Sequence, residues 1–166
     1  DTFWTVTLPQ NLETSSVNSP AFNVFLAAQV HLNCNSLLMN GIKVSDLITV
    51  AGDIHHIFPR AYLKKNGIDS KTKYNQVANY IYLDTQVNKA ISDAAPCDYF
   101  SKAYMQCETK AIELGNVCNL SQLNESLQEN CIPLSVKNMD ASSYEEFLTE
   151  RRKLMAFMMK RYYWSL

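Results

Sequence analysis

The chain has 166 residues, of which 47% are hydrophobic and 19% are charged, and its formal net charge is −1. This composition excludes a disordered or fibrous protein, and the length suits one globular domain. The longest apolar runs, such as residues 24–28, are far shorter than the roughly 18 residues of a membrane helix, so we expect no membrane partner. The chain begins without Met, and we expect it to be the C-terminal part of a longer polypeptide.

Helical signals dominate the N-terminal flank, residues 1–50. The first 18 residues are polar and irregular in pattern, and residues 3–8 are a candidate strand within them. Ser19-Pro20 predicts a helix that continues to about Asn33, because a capping residue precedes proline at the first helical position. Ser45-Asp46 then predicts the cap of a short helix.

The middle segment, about residues 51–96, has a different pattern. Residues 53–59 are β-prone and end at a proline, and residues 80–83 form a second β-prone run. A long basic loop is predicted between them. Asp84 then predicts the cap of a short helix, so the order is strand, loop, strand, helix.

The C-terminal flank, residues 97–166, is again helical in pattern. We predict a helix over residues 99–114, while residues 120–130 are polar with only a weak periodicity. A long final helix is predicted after Ser142-Ser143, because its apolar residues recur at helical spacing. The predicted fold class is therefore α+β, mostly helical.

Charge and cysteine patterns add two expectations. Basic residues concentrate in segments 60–73 and 151–161, and such clusters can hold phosphates, although each can equally be an ordinary solvated face. The five cysteines are odd in number and include no Cys-x-x-Cys pair, which favours free thiols in a reducing cytoplasm.

Two adjacent histidines carry the strongest chemical signal. His55 and His56 lie just before Pro59, Asn79 immediately precedes the second strand, and Asn88 follows in the next helix. If the two strands pair and the helix backs them, a general base, a neutral oxygen ligand and a second imidazole would converge.

This pattern resembles the HNH, or ββα-metal, endonuclease motif, with the spacing found in the HNH domain of CRISPR effector nucleases. The run Asp53–Pro59, then Asn79 and Asn88, carries the resemblance, and Ser92-Asp93-x-x-Pro96 continues it. The resemblance implies a ββα-metal core over about residues 51–96, embedded between N- and C-terminal helices in a single domain of residues 1–166.

The flanks resemble a narrower group, the C-terminal nuclease region of GmrSD-type modification-dependent restriction and phage-defence proteins. Residues 19–23, 74–80 and 151–155 carry this second resemblance. It implies an upstream ParB-like nucleotide-dependent module in the same polypeptide, DNA as the partner and a cytoplasmic restriction or antiviral defence role.

The HNH resemblance also implies a role for each site residue. His56 matches the general base, which suits an imidazole whose unperturbed pKa of about 6.5 lies near working pH. Asn79 matches the central catalytic-site asparagine that ties the loop and holds the imidazole. His55 and Asn88 match ligands of one divalent metal ion (Mg, Mn or Ni), with Asp53 as a fallback ligand.

Two departures from the motif change these expectations. Many members carry Asp where this chain has His55, and an imidazole ligand favours tolerance of softer ions such as Mn, Ni, Co or Zn. The CRISPR-type motif has a lysine where this chain has Ile91, so cationic help must come from elsewhere. The expected nucleic-acid-binding residues are Arg60, Lys64, Lys65 and Lys89.

The sequence therefore predicts a divalent-metal-dependent DNA endonuclease that nicks one strand per site. Double-strand cleavage would require a homo-oligomer with two protomers, or two successive events. One alternative is a non-catalytic nucleic-acid-binding or protein-interaction domain that keeps the ββα shape. Another is a structural metal site of His55 and His56 with a cysteine. Asn75 is interpreted as a turn or loop-tying residue, and His31 as structural or solvent-facing.

Overall fold

Helices surround a small antiparallel sheet in the computed structural model, which describes residues 1–50 and 53–166. Residues 51 and 52, the expected start of the core segment, lie outside the described residues. The elements, after a π-helical turn at Phe3–Thr7, are α1 Leu8–Asn11, α2 Pro20–His31, α3 Val44–Val50, β1 Ile54–His56, α4 Arg60–Lys65, α5 Lys71–Tyr74, β2 Tyr80–Tyr82, α6 Thr85–Ile91, α7 Pro96–Thr109, α8 Leu120–Glu129 and α9 Tyr144–Tyr163. The prediction of a mostly helical α+β fold is confirmed. Over these residues, no helix is at once long and apolar enough to cross a bilayer.

The sheet consists of β1 paired with β2, with His55 opposite Ile81 and His56 opposite Tyr80. Isoleucine and tyrosine favour the extended backbone of both strands. Pro59 follows β1 and cannot donate to a strand ladder, so the strand ends before it. α6 begins directly after β2, where the Asp84 carboxylate accepts hydrogen bonds from the first turn.

Two local predictions were wrong. Residues 3–8 are helical rather than extended, and the ring of Trp4 in this segment packs against Tyr163 of α9. The segment between the strands is not a loop but contains α4 and α5. Leu63 and Tyr74 are buried in these short helices, and burial of these side chains favours the helical backbone over a solvated loop.

The C-terminal helix α9 carries much of the core. Its predicted apolar stripe is buried as expected at Phe147, Leu148, Met155 and Met158, while Leu154 is 37% exposed. α9 packs against α2, so the two flanks that enclose the strands are themselves in contact.

α7 ends at Thr109, earlier than the predicted residue 114. The buried Gln106 side chain accepts hydrogen bonds from the backbone of Glu113 and Leu114 and donates to the carbonyl groups of Leu114 and Val117. The Gln106 side chain thus makes the hydrogen bonds that a further helical turn would have made, and it holds residues 113–117 against α7.

Candidate active site

His56 is the last residue of β1, and two tyrosine rings border its imidazole. The ring of Tyr80, directly opposite on β2, meets it edge-on with centroids 5.5 Å apart. The ring of Tyr74 meets it at 6.5 Å. The imidazole is partly buried between these walls, so its plane is set by packing as well as by hydrogen bonding.

The Nε2 atom of His56 lies 2.9 Å from Oδ1 of Asn75. An amide oxygen only accepts hydrogen bonds, so this contact places the proton on Nε2 and leaves a lone pair on Nδ1. The sequence interpretation of Asn75 as a turn residue missed this contact. Its position four residues before Asn79 is the only sequence signal, and that spacing by itself does not indicate a partner.

The electrostatic surroundings favour the neutral form of His56. Burial lowers its pKa below the ordinary value, and the hydrogen bond with Asn75 opposes this change. The positive charge of Arg60 and the neighbouring His55 lower the pKa further. His56 is therefore uncharged at neutral pH, which is the form that accepts a proton.

His55 lies on the opposite face of β1 from His56, because successive side chains of a strand alternate. Burial lowers the pKa of His55, and the carboxylate of Asp53, two residues earlier in the chain, raises it. Asp53 is exposed and lies just before the strand. Its charge therefore acts on the same ring that the sequence predicts as a metal ligand.

Asn88 lies in α6, the helix that follows β2, and is partly buried. The three predicted ligands His55, Asn88 and Asp53 are, by residue type, one imidazole and two oxygen-bearing side chains. This donor set suits Mn²⁺ or Ni²⁺ and is compatible with Mg²⁺, since water completes the shell of such ions.

The alternative of a structural site built from His55, His56 and a cysteine lacks support. Within residues 1–50 and 53–166, no three His, Cys, Asp or Glu side chains form a group able to hold a metal ion. All five cysteines are free thiols, as the pattern predicted.

Asn79 is fully buried and joins two backbone segments. Its Oδ1 accepts a 2.8 Å hydrogen bond from the backbone N–H of Phe58, and its Nδ2 donates to the carbonyl oxygen of Phe58 at 3.1 Å. Nδ2 also donates to the carbonyl oxygen of Tyr74 at 3.2 Å. Phe58 follows His56 by two residues and Tyr74 precedes Asn75, so one amide fixes both segments that carry the histidine–asparagine pair.

Basic side chains of α4 border the site. Arg60 is exposed at the first position of the helix, and its charge reaches His56. Lys64, one turn later, places its ammonium 5.2 Å from the centre of the Tyr74 ring that borders His56. The charge of Arg60 therefore acts on the imidazole, and Lys64 contacts one of the rings that border it.

The remaining predicted nucleic-acid-binding residues differ in their surroundings. Lys65 forms an exposed ion pair with Asp93, which offsets its charge. Lys89 is exposed in the last turn of α6.

The second basic segment, residues 151–161, is not a solvated phosphate-binding face at its start. Arg151 is 1% exposed and donates to the carbonyl oxygens of Ala78, Tyr80 and Asn130. Arg152 is also buried and donates to the side chain of Gln76. Both guanidinium groups are used to hold the segment that leads into β2.

An apolar groove of about 790 Å³ lies elsewhere, lined by the ends of the chain and by α2, and none of the candidate site residues contributes to it. No protein family, curated protein or solved structure matches this chain.

Proposed function

We propose that this chain is an HNH-type, divalent-metal-dependent DNA endonuclease domain, whose ββα core is formed by β1, β2 and α6. We further infer that it is the cytoplasmic effector domain of a restriction or anti-phage defence protein with an upstream ParB-like module. The observation that carries the nuclease proposal is the partly buried His56, whose Nε2 lies 2.9 Å from Oδ1 of Asn75 so that Nδ1 keeps its lone pair.

Hydrolysis of a phosphodiester requires a base that takes a proton from the attacking water. Nδ1 of His56 is the atom suited to this step, because Nε2 already carries the proton shared with Asn75. The cations of Arg60 and Lys64 would hold the DNA backbone by its phosphates, which positions the scissile bond against the imidazole. Asn79 keeps the backbone around the base in place.

His55 and Asn88, with Asp53 as an additional ligand, would hold the metal ion. A divalent ion held by these residues would supply positive charge to the phosphate and to the leaving oxygen. The imidazole of His55 favours a broader choice of ions than an all-oxygen set. One base and one ion per domain correspond to cleavage of one strand, so double-strand cleavage would need two protomers or two events.

A plasmid-nicking assay tests the proposal. Supercoiled DNA is incubated with Mg²⁺, Mn²⁺ or Ni²⁺ and with wild type, His56→Ala or the control His31→Ala. His31 is an exposed histidine of α2, so its loss should leave nicking unchanged. Removal of the general base should lower the nicking rate about 100-fold or more. Equal nicking by wild type and His56→Ala would contradict the proposal.

The basic surface of α4 favours one alternative, a nucleic-acid-binding domain without catalysis. The same assay separates the two functions when it is paired with a DNA-binding measurement. A folded wild type that binds DNA but nicks with none of the three ions would support the binding domain and exclude the nuclease.

A further inference from the structure

The side chain of Asn75 contacts the histidine to which the proposed function assigns the proton transfer. We propose that Asn75 is a positioning residue that holds His56 in the Nε2–H tautomer and in one ring orientation. This inference rests on the proposed nuclease function and extends it to a residue to which the HNH resemblance assigns no role. It is carried by the 2.9 Å contact between Nε2 and Oδ1 and by the way both partners are held.

The backbone fixes the separation of the two side chains. Asn79 donates from one amide nitrogen to the carbonyl oxygens of Phe58 and Tyr74. One of these residues lies two positions beyond His56 and the other immediately before Asn75. The pair is therefore braced by a fully buried side chain rather than formed by two mobile surface groups.

The rings around the imidazole limit its rotation. Tyr80 meets the His56 ring edge-on at an interplanar angle of 89°, and Tyr74 meets it at 63°. Tyr74 is itself held from the other side, since its carbonyl oxygen accepts hydrogen bonds from Asn79 and from the Tyr144 hydroxyl. Packing thus sets the plane of the ring, and Asn75 sets which nitrogen carries the proton.

The tautomer determines whether His56 can act as a base through Nδ1. A neutral imidazole has one donor and one acceptor nitrogen, and the hydrogen bond made by one decides the state of the other. Without the Asn75 oxygen, the ring would populate both tautomers and a range of orientations. Loss of positioning of this kind lowers the rate constant with little effect on substrate binding.

Two substitutions of similar volume separate the hydrogen bond from packing. Asn75→Asp keeps an acceptor oxygen, and Asn75→Leu removes it. Asn66→Leu is the matched control, because Asn66 is exposed and its side chain donates to the nearby carbonyl oxygen of Tyr62. If Asn75→Leu does not fold, Asn75→Ala replaces it as the variant that lacks the acceptor oxygen.

The first measurement is the imidazole ¹H–¹⁵N spectrum of ¹⁵N-histidine-labelled protein, at a pH where the rings are neutral. Wild type, Asn75→Asp and Asn66→Leu should give the Nε2–H pattern for His56, and Asn75→Leu should give a mixture of tautomers. An Nδ1–H pattern in wild type, or the same populations in wild type and Asn75→Leu, would overturn the positioning role whatever the nuclease result.

The second measurement is plasmid nicking with KM and kcat determined separately. We expect Asn75→Leu to lower kcat about 100-fold with KM unchanged, and Asn75→Asp to restore most of the rate. An unchanged kcat in folded Asn75→Leu contradicts the inference and leaves the nuclease intact. If wild type fails to nick DNA with every metal ion tested, the proposed function fails, and the inference about catalysis fails with it.

Discussion

The guanidinium of Arg151 donates a 2.7 Å hydrogen bond to the carbonyl oxygen of Tyr80, which ties α9 to the residue directly opposite His56. The same group donates to the carbonyl oxygens of Ala78 and Asn130. Burial lowers the pKa of Arg151 to about 10, which leaves the group charged at neutral pH. The C-terminal helix therefore supports the candidate site by hydrogen bonds from the Arg151 guanidinium to backbone carbonyl groups, and not by an ion pair with a carboxylate.

Replacement of Arg151 by methionine should lower the free energy of unfolding by about 3 kcal/mol, because the three buried carbonyl groups lose their donor. Urea denaturation monitored by circular dichroism measures this change. The control is Arg161→Met on the same helix, where the side chain is exposed and the change should be small. Equal losses in the two variants would contradict the supporting role of Arg151.

Asn79→Ala should also be strongly destabilising. The substitution leaves the backbone N–H of Phe58 without its acceptor and removes the donor to two carbonyl groups in a fully buried site. We expect a loss of about 3 kcal/mol in the same denaturation assay. Asn66→Ala removes an exposed hydrogen bond to backbone and should cost less than about 1 kcal/mol. If Asn79→Ala unfolds at the wild-type urea concentration, the bracing described here is wrong.

The cations of α4 should differ in their effect on DNA affinity. Lys64→Gln should weaken binding at low salt and lower the slope of log affinity against log salt by about 1, as expected for one phosphate contact. Lys65→Gln should have a smaller effect, since the Asp93 carboxylate already offsets that charge. Fluorescence anisotropy with a labelled duplex measures both.

Lys102→Gln provides the charge-matched control for the DNA measurements, because Lys102 is an exposed residue of α7 outside the candidate site. A drop in affinity for Lys102→Gln as large as that for Lys64→Gln would indicate binding by overall charge and not by α4.

The cysteines should react with a thiol reagent at very different rates. Burial raises the pKa of Cys131 to about 12 and that of Cys34 to about 11. A raised thiol pKa lowers the fraction of reactive thiolate at pH 8, and burial also blocks the reagent. The partly exposed Cys97 and Cys118 should therefore react before Cys34 and Cys131 in the native protein. Mass mapping after brief labelling checks this order. Unfolded protein, in which all five should react alike, is the reference.

Elements with strong local signals could be predicted from the sequence. The β-branched and aromatic runs around His56 and Tyr80 indicated the two strands, and the aspartate cap at position 84 indicated α6. The Ser19-Pro20 start of α2 was also correct, and its serine hydroxyl accepts a hydrogen bond from Phe22. Each of these signals depends on residues within one or two turns of the chain.

The sequence by itself thus determined the mostly helical class, the two strands, the capped helix after them and the adjacent histidines at the end of the first strand. Only the tertiary structure decided that Asn75 contacts His56, that α4 and α5 replace a loop, and that Arg151 is buried. The physical reason is distance along the chain. Arg151 lies 71 residues from Tyr80, and no local pattern encodes a hydrogen bond that forms only when α9 packs against the segment leading into β2.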